Sequence, residues 1–196
     1  YSSAASDVYK RQLLSNISMV FQNVYLFHDT VRNNICFAKP DATEAEMEEV
    51  LEKVNLLGFL QTQDGLQTKL LEKAGNLSGG QCQRLAIARA LLRDSSVYIF
   101  DEAASNIDVE SEELIMDVIH QLARTKTVLL ISHRLANVVN SDQIYFLKDG
   151  EIRESGKHEE LMQLNGEYRH LYDSQMALES YGKAVSYTHL TLPTNR

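Results

Sequence analysis

The sequence predicts an α/β fold in which a parallel sheet forms the core and a helical insertion interrupts it. Three observations predict this. Val97 to Phe100 and Thr127 to Ile131 are short apolar runs that flank a helical pattern, as neighbouring parallel strands buried on both faces do. A third run of the same kind, Ile17 to Phe21, stands upstream. Between it and Val97 the apolar spacing turns helical.

Taken in order, Ile17 to Phe21 reads as a buried strand that ends at Gln22, and a polar turn leads to the segment Tyr25 to Ile35. Pro40, Asp41 and Thr43 then announce a helix. Asp41 with Glu44, or Thr43 with Glu46, makes a capping box, and Met47, Val50, Leu51 and Val54 share one face. The helical pattern continues through Leu56 to Leu60 and gives way to a polar loop before Leu77. Gln81 to Leu92 is helical again, with Leu85, Ala88 and Leu92 inward and Gln83, Arg84 and Arg89 on other faces. The strand Val97 to Phe100 follows. A capped helix over about Glu110 to Leu122, with Leu114, Ile115, Val118, Ile119 and Leu122 on its apolar face, leads to the strand Thr127 to Ile131. Gln143 to Leu147 and Glu151 to Glu154 form a hairpin through Asp149 and Gly150, and two short helices, about His158 to Leu164 and Glu167 to Met176, close the domain.

Residues 1–12 and 184–196 lack either periodicity and are expected to be non-native linker and tail, with the native protein extending beyond both ends. A partial domain is expected over 13–183, with its helical subdomain over about 23–95.

The 196 residues suit one domain, and 44% hydrophobic residues suit a packed core. No apolar run approaches the roughly 18 residues that cross a bilayer. A net charge of −8, from 19 basic and 27 acidic side chains, leaves no basic stripe for a nucleic-acid backbone. Cys36 and Cys82 have neither a CxxC neighbour nor a His at ligand spacing, so they read as free thiols.

Ser78, Gly79, Gly80 and Gln81 stand immediately before the helical run. A hydroxyl and two glycines there leave backbone N–H groups and the positive helix end open to an anion, and phosphate is the natural ligand. An ordinary N-cap explains Ser78 and one glycine, but not the whole pentapeptide from Leu77. Asp101 emerges at the carboxyl edge of a central strand, where it is placed to hold Mg²⁺ directly or through water. Glu102 supplies a second carboxylate to orient and deprotonate an attacking water, whereas a lone Asp-Glu pair elsewhere would be a solvated helix start. His133 follows the next strand, suited to a γ-phosphate oxygen or to a local cap. Gln22 adds an amide within reach of Mg²⁺ or water.

In this order the residues resemble the nucleotide-binding domain of ABC transporters, from about Leu14 to Tyr181. Gln22 matches the Q-loop, Leu77 to Gln81 the signature LSGGQ, and Val97 to Glu102 the Walker B strand with its catalytic Glu. Ser105 to Asp108 match the D-loop, and His133 the switch His. Asp149 to Leu161 is similar to the end of exporter domains fused to membrane helices.

The resemblance implies a P-loop NTPase-like sheet core with a helical signature subdomain, ATP and Mg²⁺ as cofactors, and two such domains closing head to tail over two ATP molecules. Ser78, Gly79, Gly80 and Gln81 would meet ATP held by the partner domain, with Ser78 and Gly80 on its γ-phosphate. Asp101, Glu102, Gln22 and His133 would act on the ATP of their own subunit, and Asp108 would relay between the sites. A transmembrane domain fused upstream would place the protein at the cytoplasmic face of a cell membrane, bacterial inner membrane being the expected one, as an exporter ATPase.

The chain departs from the family in several places. No Gly-x-x-x-x-Gly-Lys-Ser/Thr phosphate loop occurs, so the chain alone is expected to bind ATP poorly and to lack turnover. Leu71 to Asn76 replaces the Gly-Glu-Arg-Gly pattern while keeping Glu72, and Asn106-Ile107 replaces Ala-Leu. A soluble ABC ATPase working on nucleic acid would need coiled-coil or basic insertions, and neither occurs. A non-hydrolysing regulatory fragment is the other alternative, and Glu102 with His133 argues against it for the parent protein.

Overall fold

The computed structural model describes residues 12–188, with the side chains of 12–180. Most of the two expected non-native stretches therefore lies outside the described residues. The chain divides into one compact unit that runs to Ile131 and a second from Ser132 onward.

The first unit holds three parallel strands, β1 (Ile17–Phe21), β2 (Val97–Asp101) and β3 (Thr127–Ile131), in the order β1-β2-β3. Four helices separate β1 from β2: α1 (Val31–Cys36), α2 (Glu44–Lys53), α3 (Leu57–Gln61) and α4 (Gly79–Leu92). A fifth, α5 (Val109–Ala123), joins β2 to β3. The helical insertion and the parallel register are therefore as expected.

Thr43 and Glu46 form the capping box that starts α2, and Met47, Val50, Leu51 and Val54 are buried together. Asn55, at φ +51°, breaks the pattern before α3, so the run that reads as one helix is two. Left-handed backbone is tolerated by Asn more readily than by most residues. α4 packs against β1, and α5 against β3.

The sheet is covered on one face only. Val20, Tyr98 and Phe100 are buried, and Val128 and Leu130 pack against the same core. On the opposite face Met19, Phe21, Leu129 and Ile131 are exposed, so burial on both faces does not hold among the described residues. Alternation along each strand makes the reason plain: one set of side chains turns into the core, and the alternate set faces the other way.

In the second unit, β4 (Ile144–Lys148) and β5 (Glu151–Gly156) form the expected antiparallel hairpin. Asp149 and Gly150 both have positive φ, +53° and +78°, which a two-residue turn of this hand requires. α6 (His158–Leu164) ends at Asn165 in left-handed conformation. α7 (Glu167–Thr188) runs well past Met176. The Glu154 carboxylate accepts the amides of Glu167 and Tyr168 at 2.5 and 3.2 Å and caps α7. Tyr168 is fully buried, and its hydroxyl pairs with Nδ1 of His158 at 2.8 Å. No helix among the described residues is long and apolar enough to cross a membrane.

Candidate functional site

Parallel register brings three strand ends to one edge of the sheet, with Phe21, Asp101 and Ile131 side by side. Gln22 and Glu102 are the next residues after β1 and β2. The expected grouping of Gln22, Asp101 and Glu102 at a single carboxyl edge is thus present.

Side chains link that edge. The Gln22 amide Nε2 donates to the Ser105 hydroxyl at 2.9 Å, and that hydroxyl donates to the Glu102 carbonyl at 2.8 Å. The Ser105 amide donates to the same carbonyl at 3.0 Å, while the Glu102 amide donates to the Ile131 carbonyl at 3.0 Å. Glu102 itself stands at φ +50°. Left-handed backbone costs a non-glycine residue about 1–2 kcal/mol, so these hydrogen bonds hold a conformation the residue does not choose alone. The effect is to turn the chain sharply out of β2 at the candidate base.

Two further residues fix the Gln22 segment. Gln83, which reads as facing away from the core, is buried at 4% exposure, and its amide donates to the Phe21 carbonyl at 3.1 Å. Its helical phase does not reveal this, because the partner is a strand end 62 positions away. Asn34 is fully buried: its Oδ1 accepts the Phe27 amide at 2.8 Å, and its Nδ2 donates to the carbonyls of Phe27 and Thr30, both at 3.0 Å.

Arg89 from α4 completes the clamp. It donates from Nε to the Asn34 carbonyl at 2.8 Å, from Nη1 to the Tyr25 carbonyl at 3.0 Å, and from Nη2 to Asn34 Oδ1 at 3.0 Å. Its guanidinium also lies over the Phe27 ring, 5.7 Å from the centroid. Burial lowers the pKa of Arg89, yet an arginine stays charged in proteins and its rigid fork suits three acceptors at once. Beside the clamp lies a cavity of about 490 Å³, lined in part by Met19, Phe21, Tyr25, Phe37, Arg89 and Arg93.

The signature residues form the start of α4. Ser78 is the N-cap and accepts the Gln81 amide at 3.1 Å, while the Gln81 side chain accepts the Ser78 amide at 2.8 Å. This reciprocal box explains Ser78 and Gln81 by local structure. Gly80 is buried, and a Cβ placed on it would overlap the side chain of Ser111. Close approach of α4 to α5 therefore accounts for Gly80. Gly79 is different: it is exposed, and a Cβ there would meet only Ile107 Cγ2, at an ordinary 3.8 Å. Nothing in this chain's own packing requires glycine at 79.

Asp108 caps α5, its Oδ1 accepting the Ser111 amide at 2.8 Å. That backbone hydrogen bond, helped by the Ser111 hydroxyl, holds the carboxyl below its ordinary pKa. One loop, 102–108, thus joins the Gln22–Ser105–Glu102 group to the signature turn. Beside that turn, burial raises the Cys82 thiol and keeps it protonated.

His133 belongs to the second unit and is exposed there. Gln175, from α7, holds the chain that follows it, on either side of Arg134: Nε2 donates to the His133 carbonyl at 2.7 Å, and Oε1 accepts the Leu135 amide at 2.9 Å. Arg134 pairs with Glu179 of the same helix at 3.3 Å. Sequence reasoning missed Gln83, Asn34 and Gln175 as site-supporting residues, and it left Ser105 without a role. Only Ser105 lay inside a legible motif.

The family model described as ABC transporter matches residues 3–105. An uncharacterized ABC transporter ATP-binding protein of Haemophilus influenzae is 47% identical over 175 residues, which are 89% of this chain and 31% of that protein. An ATP-dependent lipid A-core flippase of Desulfotalea psychrophila is 42% identical over 170 residues, 86% of this chain and 30% of the flippase. Among solved structures, a bacterial Atm1-family ABC exporter with ATP bound superposes with a TM-score of 0.79 at 31% identity, over 85% of this chain and 29% of that one. The chain spans about a third of the length of the curated relatives it matches.

Proposed function

This chain belongs to the ABC transporter family, and on that premise we propose that it is part of the ATP-hydrolysing domain of a membrane exporter, a partial domain over about 13–183 with a helical subdomain at about 23–95. ATP binding follows from the family. The hydrolytic reading rests on one observation above all, the hydrogen-bonded chain from Gln22 through Ser105 to Glu102 at the edge that also carries Asp101.

In this reading Glu102 accepts a proton from the water that attacks the γ-phosphate. Asp101 and Gln22 would hold Mg²⁺, directly or through water, and the ion would supply charge stabilisation to the phosphates. His133 binds a γ-phosphate oxygen. Ser78, Gly79, Gly80 and Gln81 face the nucleotide of a second ABC ATPase domain packed head to tail, and Gly79, unexplained by the chain's own packing, has its reason there. Asp108 links the two nucleotide sites.

The cavity beside Tyr25 and Phe37 receives a segment of the membrane domain, whose movement reaches Gln22 through the Asn34–Arg89 clamp. The protein then works at the cytoplasmic face of a membrane. Relatives named as a flippase and an exporter support this setting. The transported molecule is chosen by the membrane part.

The test compares ATP turnover of the full-length protein with that of Glu102→Gln. Turnover in the variant is expected to fall by roughly 10²-fold or more, with nucleotide binding retained. Equal turnover in both would remove Glu102 as the base and the hydrolytic reading with it.

A further inference from the structure

We propose that Gln175 is a positioning residue for His133, so that helix α7 sets where His133 stands. The proposal rests on the reading that His133 acts at the γ-phosphate. His133 sits on an irregular segment between the end of β3 and the short helical turn Leu135–Val138, where no strand or helix ladder fixes it. A backbone of this kind takes its shape from whatever hydrogen bonds reach it.

Gln175 provides two. Its amide donates to the His133 carbonyl at 2.7 Å and accepts from the Leu135 amide at 2.9 Å, so one planar group spans both sides of Arg134. A primary amide is the group this geometry needs, since it offers a donor and an acceptor side by side, as a strand partner does. Within the same segment the Ser132 hydroxyl accepts the Arg134 amide at 3.0 Å and donates to the Arg134 carbonyl at 3.1 Å, which tightens the turn. Arg134 to Glu179, one helical turn beyond Gln175, is a second tie to α7.

The consequence is a mechanical dependence. The imidazole of His133 is placed by peptide groups that Gln175 holds, and Gln175 is held by a helix whose start is fixed by the Glu154 carboxylate and by buried Tyr168. Displacing α7 would remove both of these hydrogen bonds from the backbone between His133 and Leu135 without touching any group that contacts nucleotide.

The experiment pairs two readouts on Gln175→Ala and Gln175→Glu. Amide hydrogen exchange of the 196-residue chain reports the Leu135 N–H, and steady-state ATP turnover is measured in the full-length protein. Gln175→Ala should speed Leu135 exchange by roughly tenfold and lower kcat by roughly tenfold with KM for ATP within about twofold, because misplacement weakens the transition state more than ground-state binding. Gln175→Glu keeps the acceptor and loses the donor, so Leu135 protection should persist while kcat falls part of the way. Faster Leu135 exchange with unchanged kcat would make Gln175 merely structural and overturn the proposal, as would unchanged exchange in Gln175→Ala. His133→Ala separates the layers. If it abolishes turnover while Gln175→Ala does not, only this proposal falls; if it leaves turnover intact, the reading of His133 falls and takes this one with it.

Discussion

Gln22 and Ser105 lie 83 positions apart in sequence and are joined by a 2.9 Å hydrogen bond, from the side-chain amide of one to the hydroxyl of the other. Ser105 hands that contact on to the Glu102 carbonyl at 2.8 Å. A half-buried hydroxyl that both accepts and donates couples two loops whose own strands end side by side.

Removing the hydroxyl should therefore be felt in both loops. Ser105→Ala is expected to cost about 0.5–1.5 kcal/mol in urea unfolding. In a double-mutant cycle with Gln22→Ala the two losses should overlap by about 0.5 kcal/mol or more. Strict additivity would show that the bond carries no coupling.

The two signature glycines should separate stability from function. Gly80→Ala forces a methyl into Ser111 and should lower stability by about 1–3 kcal/mol. Gly79→Ala meets only Ile107 at contact distance and should leave the thermal midpoint of this chain nearly unchanged. In the full-length protein the same Gly79→Ala change should lower ATP turnover. Full activity there would leave glycine at 79 without a ligand to explain it.

Acid should act early on α2. Glu46 is brought down to about 2 by the hydrogen bond from Lys39 first, then by the Thr43 amide and hydroxyl. Its folded pKa lies below the ordinary 4.5, so the stabilisation is complete above the ordinary value and is lost as pH falls from there toward 2. Acid unfolding of the wild type should steepen over that window relative to Glu46→Gln. Parallel curves would rule the capping carboxylate out as a contributor. Because the group is exposed, salt should weaken the Lys39 part of the effect.

Legibility followed the range of the interaction. The Thr43–Glu46 box, the Asp149–Gly150 turn and the ends of β1 and β3 depend on neighbours a few residues away, and each was readable from the chain. The same holds for Asp101 and Glu102, since a strand followed by an acidic pair is a local pattern. Gln83 was misread because helical phase assigns a face without saying what that face meets. In the fold it meets the Phe21 carbonyl. Asn34 gave no signal at all: a buried amide is affordable only with its partners, and Phe27, Thr30 and Arg89 converge on it through the packing of α4 against α1. The expectation of a sheet buried on both faces came from apolar runs, which record that a strand is hydrophobic on both sides and not what covers each side.

By itself the sequence determined the family, the order of strands and helices, and which side chains are candidates for chemistry, because these are set by residue type, spacing and period. Tertiary structure decided the rest. It put Gln22 within reach of Ser105, pressed Gly80 onto Ser111 while leaving Gly79 open, turned Glu102 to positive φ, and brought Gln175 across to the backbone around His133. The contacts among these join segments far apart in the chain. Such contacts depend on how elements pack, and no local pattern encodes the distance between two side chains that meet only after folding.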